Sequence, residues 1–399
     1  MRHKLVRFLL LFVCLSLLSG CWDREELQKL SIVSGMAIDK GSDKTKNRYE
    51  VTVQITNPSQ VAGGQQGGKV QASPVTTFTE KGSTLSETLR KISIKAPGEL
   101  FFPHLQVMVI NEKVAKEGIK DLFDVIERDA QFRVLFPVLI TRGSVTAKRT
   151  LEIATPLENI PSTKIAETLK YSEKEWGVYK STRADQVIQG LEQGSLSVTG
   201  IQVEGKASKG NEMTNMQQID PSARLEIKGL ALFKDGRLKK WLEGEDARGV
   251  TWVMNEMKTT VLNLDCGKEK DAIAIEISRA KSNVHVKFKH QKPIIYVDVH
   301  AEGLVLENNC ATKDLGKSKV LAKLDEEVEE EIKKEILLTV EKAQKQKSDI
   351  FNFGEQINIA NKHVWKNIES SWQKEIFPQT EVHVNVQAII RRTGLITRS

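Results

Sequence analysis

The chain of 399 residues has few cysteines, few aromatic residues and few long apolar segments. It has four cysteines, 6% aromatic residues and one long apolar run, from Phe8 to Leu18. As a helix this run would be only about 16 Å long, whereas crossing a bilayer core takes roughly 20 residues. The sequence therefore predicts no permanent membrane-spanning helix, and the run fits the apolar region of a signal peptide.

The charge balance excludes another class of partner. The chain carries 59 Lys and Arg residues against 52 Asp and Glu residues, a formal charge of +7. Arg2, Lys4 and Arg7 fall in the predicted signal peptide, so the remaining chain is near +4. Because this excess is mild and both signs are intermixed, the composition predicts no nucleic-acid partner.

The end of the apolar run carries a processing motif. Leu18-Ser19-Gly20-Cys21 resembles the bacterial lipobox, in which the cysteine thiol receives a diacylglyceryl group and becomes the mature N-terminus. One acyl chain anchors a protein only marginally, and two anchor it stably. We expect a lipoprotein signal peptide over residues 1–20, a lipid on Cys21 and a mature chain on the outer face of a membrane. The alternative is an ordinary secretory signal with a chance cysteine.

Two cysteines remain after this processing, Cys266 and Cys310. An exported protein can keep a disulfide. The sequence does not show whether the two Cα atoms come close enough for a bond. A disulfide and two free thiols therefore both stay open.

The segment pattern predicts an α+β fold of two to three domains, with mainly antiparallel or mixed sheets and packed helices. Tyr49–Ile55 alternates like a half-buried strand, and Asp235-Gly236 between apolar runs predicts a hairpin. Helices are predicted over Glu112–Arg128 and, the longest, over Ser318–Lys347.

A polar stretch divides the chain. We predict a linker over residues 205–222, which separates one or more N-terminal α+β domains (21–204) from a C-terminal α+β domain (223–399). The C-terminal part should contain an antiparallel sheet and the long helix. The few aromatic residues concentrate there, and we expect most of them to pack in its core: Phe351, Phe353, Trp365, Trp372 and Phe377.

No pattern indicates catalysis. The sequence lacks His-Glu-x-x-His, Gly-x-Ser-x-Gly, Cys-x-x-Cys and a paired-glycine fingerprint after a strand. We therefore predict no catalytic residue, no cofactor and no metal site. Gly63–Lys69 has the spacing of a phosphate loop, but Val70 replaces the required Ser or Thr and no helix follows. His285, His290 and His300 fall on exposed faces of predicted strands, which favours solvated histidines over metal ligands.

Short segments spread over nearly the whole chain carry a family resemblance. They include Cys21-Trp22-Asp23-Arg24-Glu25-Glu26-Leu27, Pro103-His104-Leu105-Gln106, Gly229-Leu230-Ala231-Leu232-Phe233, Asp349-Ile350-Phe351 with Phe353-Gly354, and Trp365, Trp372 and Phe377-Pro378. In these segments the chain resembles the C-subunit lipoproteins of nutrient germinant receptors from endospore-forming bacteria.

The resemblance implies a multi-domain α+β fold and a role in nutrient-triggered germination. It implies two integral membrane receptor subunits as partners in the spore inner membrane, and it supplies no catalytic residues. Which nutrient acts, and whether this subunit contacts it, stays open. The alternatives are a solute-binding lipoprotein of a transporter, which the antiparallel C-terminal half disfavours, and a lipoprotein that processes cell wall or cortex.

Overall fold

The structure, a computed structural model, describes residues 29–43, 45–57 and 73–391. The predicted signal peptide, Cys21 and the Gly63–Lys69 stretch lie outside these residues. In the described part, no helix is both long and apolar enough to cross a membrane.

The first sheet has nine strands in the order β3-β2-β1-β5-β6-β7-β8-β9, with β4 paired to β1. It is mixed, because β1, β5, β6 and β7 run parallel and the other long strands join them antiparallel. The strands are β1 (Leu30–Lys40), β2 (Tyr49–Thr56), β3 (Val75–Gly82), β4 (Glu99–Phe101), β5 (Val107–Ile110), β6 (Val138–Thr141), β7 (Ser195–Gly205), β8 (Ala223–Lys234) and β9 (Arg237–Leu242).

Helices cover both faces of the first sheet. In β5, Met108 and Ile110 enter one core, and Val107 and Val109 enter the core on the opposite face. Strands buried on both sides read as continuous apolar runs, as this strand does. The first core is covered by α1 (Leu85–Ser93), α2 (Glu112–Glu117), α3 (Lys120–Arg128) and α6 (Ala184–Gln193), and the opposite one by α4 (Ala147–Thr150) and α5 (Pro161–Glu175).

The second sheet has four strands, β10 (Thr260–Cys266), β11 (Glu269–Lys289), β12 (Lys292–Asn308) and β13 (Glu381–Arg391), in that order. The first three pair antiparallel, and β13 adds parallel to β12. A core lies between one face of this sheet and its helices. These helices are α8 (Glu245–Val253), α9 (Ser318–Lys345), α10 (Phe353–Ala360) and α11 (Lys362–Ser371), followed by a π-turn over Trp372–Ile376.

The long helix also contacts β13, one of the two edge strands of the second sheet. The backbone N–H of Ala388 donates to Glu329 at 2.9 Å, and that of Ile390 donates to Asp325 at 2.7 Å. Unpaired edge N–H groups invite pairing with another chain. Two carboxylates of α9 therefore satisfy this part of β13 within the molecule.

The predicted linker joins neighbours within one sheet. Residues 205–222, which contain the short helix α7 (Met213–Gln217), connect β7 to β8, and these strands pair antiparallel. The hairpin β8–β9, assigned from the sequence to the C-terminal domain, thus belongs to the first sheet. Both faces of β8 are apolar because each packs in a different core. Ala231 and Phe233 enter the first core, whereas Leu230 and Leu232 enter the core of the second sheet.

One predicted helix is divided. Glu112–Arg128 forms α2 and α3 instead of a single helix, because Gly118 adopts φ +131°, outside the helical region. The next residue, Ile119, donates its N–H to the carbonyl of Gly236 at 3.0 Å. A contact with the β8–β9 turn, distant in sequence, therefore accompanies the break.

Candidate functional site

A tight turn after α9 gathers polar groups around one buried carboxylate. Asp349 is 3% exposed, and it accepts backbone N–H groups from Phe351 (3.3 Å), Phe353 (3.1 Å) and Gly354 (2.8 Å). Asn352 within the turn has φ +58°, a conformation that Asn tolerates better than most residues. The carboxylate thereby fixes the turn and the start of α10.

Two tryptophans complete the surroundings of this carboxylate. The indole N–H of Trp372 donates to Asp349 Oδ2 at 2.9 Å, and its ring meets Trp365 edge-on at 6.0 Å between centroids. A Cβ on Gly354 would lie 2.6 Å from Trp365 and 2.9 Å from Trp372, so glycine is required there. Phe351, Phe353, Trp372 and Phe377 are buried, which confirms the expected core packing of most of these aromatic residues.

The same turn joins the second sheet to the first. Ser195, at the start of β7, donates its hydroxyl to the Asp349 carbonyl at 2.7 Å. Gln373 Nε2 donates to Ser195 Oγ at 3.0 Å, and Ser348 Oγ donates to the Phe233 carbonyl at 2.6 Å. We call this set of contacts the junction.

Burial dominates the electrostatics of the junction. It raises the pKa of Asp349, although the N–H donors act in the opposite direction. Beside the carboxylate lies a cavity of about 380 Å³ whose lining carries no Lys, Arg or His among the described residues. Glu192, Glu355 and Glu369 line it as well. All the groups that bind the Asp349 carboxylate are N–H donors, so the arrangement is suited to holding the chain in place.

A second buried carboxylate lies where parallel strands end. Asp39, near the end of β1, accepts from Asn111 Nδ2, Ala147 N and Lys148 N, each at 2.8 Å. Burial, the largest effect, raises the pKa of Asp39. In open α/β sheets, ligands bind beyond the carboxyl ends of parallel strands. Here the first turn of α4 docks onto Asp39 at this place.

A third buried carboxylate is neutralised by a cation. Glu335 on α9 binds the guanidinium of Arg248 on α8 through Nε at 2.9 Å and through Nη2, and it accepts the Trp252 indole N–H at 2.9 Å. Glu245, Glu331 and Glu335 form the only group of three or more potential metal ligands in the described part. Within this group, the Glu335 carboxylate is already bound by the Arg248 guanidinium and the Trp252 indole N–H.

The predicted site residues separate into three groups. Cys21 lies outside the described residues. Cys266 and Cys310 form a disulfide, with Cα atoms 5.8 Å apart, which links the end of β10 to the segment after β12. His285 stacks on Tyr296 and lies 3.1 Å from Asp298, while His290 and His300 are exposed.

The partners of these buried carboxylates have no signal in the sequence. Asp39 and Asn111 are 72 positions apart, and Arg248 and Glu335 are 87 apart. No periodicity links such distant positions. The turn at Asp349 did have a signal, since its residues lie in a segment that carries the family resemblance.

The two sheets with their helices, joined at β8 and at the Asp349 turn, make an α+β protein of two parts. Its described residues present no evident reaction centre. Two family models match the chain, the spore germination protein N-terminal domain over residues 23–203 and the spore germination B3/GerAC-like C-terminal domain over residues 228–394. The chain belongs to the germinant receptor C-subunit family of spore germination proteins, as the resemblance indicated.

Individual relatives match over nearly their whole length. Spore germination protein KC of Bacillus subtilis (strain 168) is 35% identical, over 99% of this chain and 97% of that protein. Spore germination protein B3 of the same organism is 23% identical, over 98% of each. The crystal structure of the GerBC protein is 19% identical, with a TM-score of 0.55 over 92% of this chain and 99% of that one. This match confirms the multi-domain α+β fold.

Proposed function

We propose that this protein is the lipid-anchored C subunit of a nutrient germinant receptor and that it acts by docking to other receptor subunits. The observation that carries the proposal is the 35% identity to spore germination protein KC over 99% of the chain. The partners would be two integral membrane subunits in the spore inner membrane, and nutrients would be the trigger.

The state of the buried charged groups supports a role without catalysis. Asp39 and Asp349 are surrounded by N–H donors, and Glu335 is paired with Arg248. Groups whose hydrogen-bonding positions are filled in this way are poorly placed to exchange protons with a substrate.

The lipid anchor rests on the Leu18–Cys21 motif. Replacing Cys21→Ala should prevent uptake of a fatty-acid analogue into the protein. Label on the variant equal to that on the parent would show that Cys21 is not the attachment site.

The receptor role is tested by deleting the coding sequence. Growth and sporulation should be unaffected, the response to one set of nutrients should be lost or slowed, and germination by a non-nutrient agent should persist. Complementation with the parent chain should restore the response. Normal germination with every nutrient, in a strain without a second receptor of overlapping specificity, would refute the role.

A further inference from the structure

Four lysines from separate segments converge at the junction. Lys234 ends β8 and pairs with Ser195, the first residue of β7. Lys347 precedes Ser348, which donates to the carbonyl of Phe233, and Lys374 follows Gln373, which donates to Ser195. Lys239 lies in β9, the other strand of the hairpin. We call Lys234, Lys239, Lys347 and Lys374 the lysine patch.

The fold leaves the charge of the patch largely uncompensated. None of the four lysines forms an ion pair with a carboxylate of the described residues, and Lys239, Lys347 and Lys374 are exposed. Glutamates line the cavity beside Trp372, but none of them pairs with a patch lysine. Burial lowers the pKa of Lys234, the three other lysines lower it further, and Asp235 opposes them. The patch therefore sets four lysines against one nearby carboxylate, Asp235, and an external anion would offset the remaining positive charge.

The chain length before the described residues limits where that anion can be. The segment from Cys21 to Lys29 can span at most about 28 Å. A folded protein of 399 residues has a radius of gyration of about 20 Å. A lipid on Cys21 would therefore hold the body against the bilayer. Leu30 and Ser195 both begin strands of the parallel set, so they lie at the same end of the first sheet. They are three strand spacings of about 4.8 Å each apart across the sheet and offset by about three residues along it.

We propose that the lysine patch rests on the anionic phospholipid surface to which the chain is anchored. The orientation relies on the proposed lipid at Cys21. Lysines attract an anionic surface within a Debye length, about 8 Å at physiological salt. The net charge of the mature chain is too small to attract such a surface by itself. The attraction would therefore come from a local cluster, the lysine patch.

Vesicle binding by the mature chain with Cys21→Ser, which carries every described residue but no lipid, tests the patch separately from the anchor. Vesicles of phosphatidylcholine with roughly 30% phosphatidylglycerol, which gives them a negative surface potential, are compared with pure phosphatidylcholine. The patch variant carries Lys239→Glu and Lys374→Glu. The matched control carries Lys289→Glu and Lys292→Glu, two exposed lysines that pair at the end of the β11–β12 hairpin and form no ion pair with a described residue. Both variants replace two lysines with glutamates, so they change the net charge equally.

The chain should bind the anionic vesicles, lose that binding at high salt and ignore the neutral vesicles. The patch variant should bind more than tenfold more weakly, and the control should stay within about twofold of the parent. Equal binding by patch variant and parent, an equal loss in the control, or no binding of the parent would each overturn the proposal. Loss of germination without a change in vesicle binding would assign the patch to a protein partner instead. Because the outcomes that would overturn the proposal are read from vesicle binding alone, failure here leaves the receptor role standing.

Discussion

Asp349 at the junction and Glu335 on the long helix are both buried carboxylates, but different partners hold them. Asp349 accepts three backbone N–H groups from its own turn and one indole N–H from 23 positions further along. Glu335 accepts a guanidinium and an indole N–H from α8, 83 to 87 positions earlier. The first arrangement shapes a turn that ties two sheets together, and the second ties two helices together within one core.

The difference shows two ways to bury a negative charge. Hydrogen bonds from N–H groups stabilise a carboxylate without adding a second buried ion, and they fix the backbone that donates them. An ion pair must desolvate two charged groups, so its net contribution can be small, although removing one partner is costly. The geometry of the junction should therefore depend on Asp349 itself. The stability of the α8–α9 contact should depend on whether Arg248 and Glu335 are kept or removed together.

The largest effect is expected for Asp349→Ala. Four donors would lose their acceptor, and each unsatisfied buried donor costs about 1–3 kcal/mol, so we expect a loss of about 5 kcal/mol in the free energy of unfolding. Urea denaturation followed by circular dichroism measures it. Asp349→Asn, which keeps one acceptor oxygen, should lose clearly less. A loss below about 1 kcal/mol for the alanine variant would mean that the carboxylate does not hold the turn.

A slightly smaller effect is expected for Glu335→Ala. The variant leaves Arg248 buried without its counter-charge, which should cost about 4 kcal/mol. The control is the double replacement Arg248→Met with Glu335→Leu, which removes both charges and keeps much of the volume. It should be more stable than Glu335→Ala. If the double variant is equally destabilised, lost packing accounts for the effect and the unpaired charge does not.

The two carboxylates also show how far the sequence could predict this structure. The Asp349 turn lies within six consecutive residues, so it was visible as a segment, although its donors were not. The hairpin at Asp235-Gly236 was predicted and is confirmed, because its signal is local. The sheet to which this hairpin belongs was not predicted. The residue pattern of β8 shows that both of its faces are apolar, but it does not show which core each face enters. The Arg248–Glu335 pair exists only through packing of α8 on α9.

The second sheet contains a covalent link, and breaking it should have an intermediate effect. The Cys266–Cys310 bond closes a loop with a sequence separation of 44 residues. Replacing both cysteines with alanine should cost about 3 kcal/mol, since a cross-link restricts the unfolded chain. Chemical denaturation with and without reductant measures the loss, and reductant should leave the double variant unchanged. A parent chain insensitive to reductant would contradict a stabilising bond.

Asp39 extends the comparison to the first sheet and predicts the smallest effect, a change of stability with pH. Its donors resemble those of Asp349, but Glu50 lies nearby and, like burial, raises the pKa of the Asp39 carboxyl. Because the folded pKa lies above the unfolded value of about 3.9, the folded protein binds this proton more tightly. The contribution of Asp39 is then fully present below the unfolded pKa and is lost as the pH rises through the folded pKa.

Asp39→Asn removes that titration and retains the size of the side chain. The contribution of the asparagine to the free energy of unfolding should not change with pH. Only the parent should therefore show the pH dependence that comes from Asp39. Urea unfolding of both proteins at several pH values between 4 and 7 should give a stability difference, parent minus variant, that falls as the pH rises. A difference that grows with pH would show that the three N–H donors outweigh burial at Asp39. The first turn of α4 would then favour the ionised carboxylate, as a helix N-terminus favours an anion.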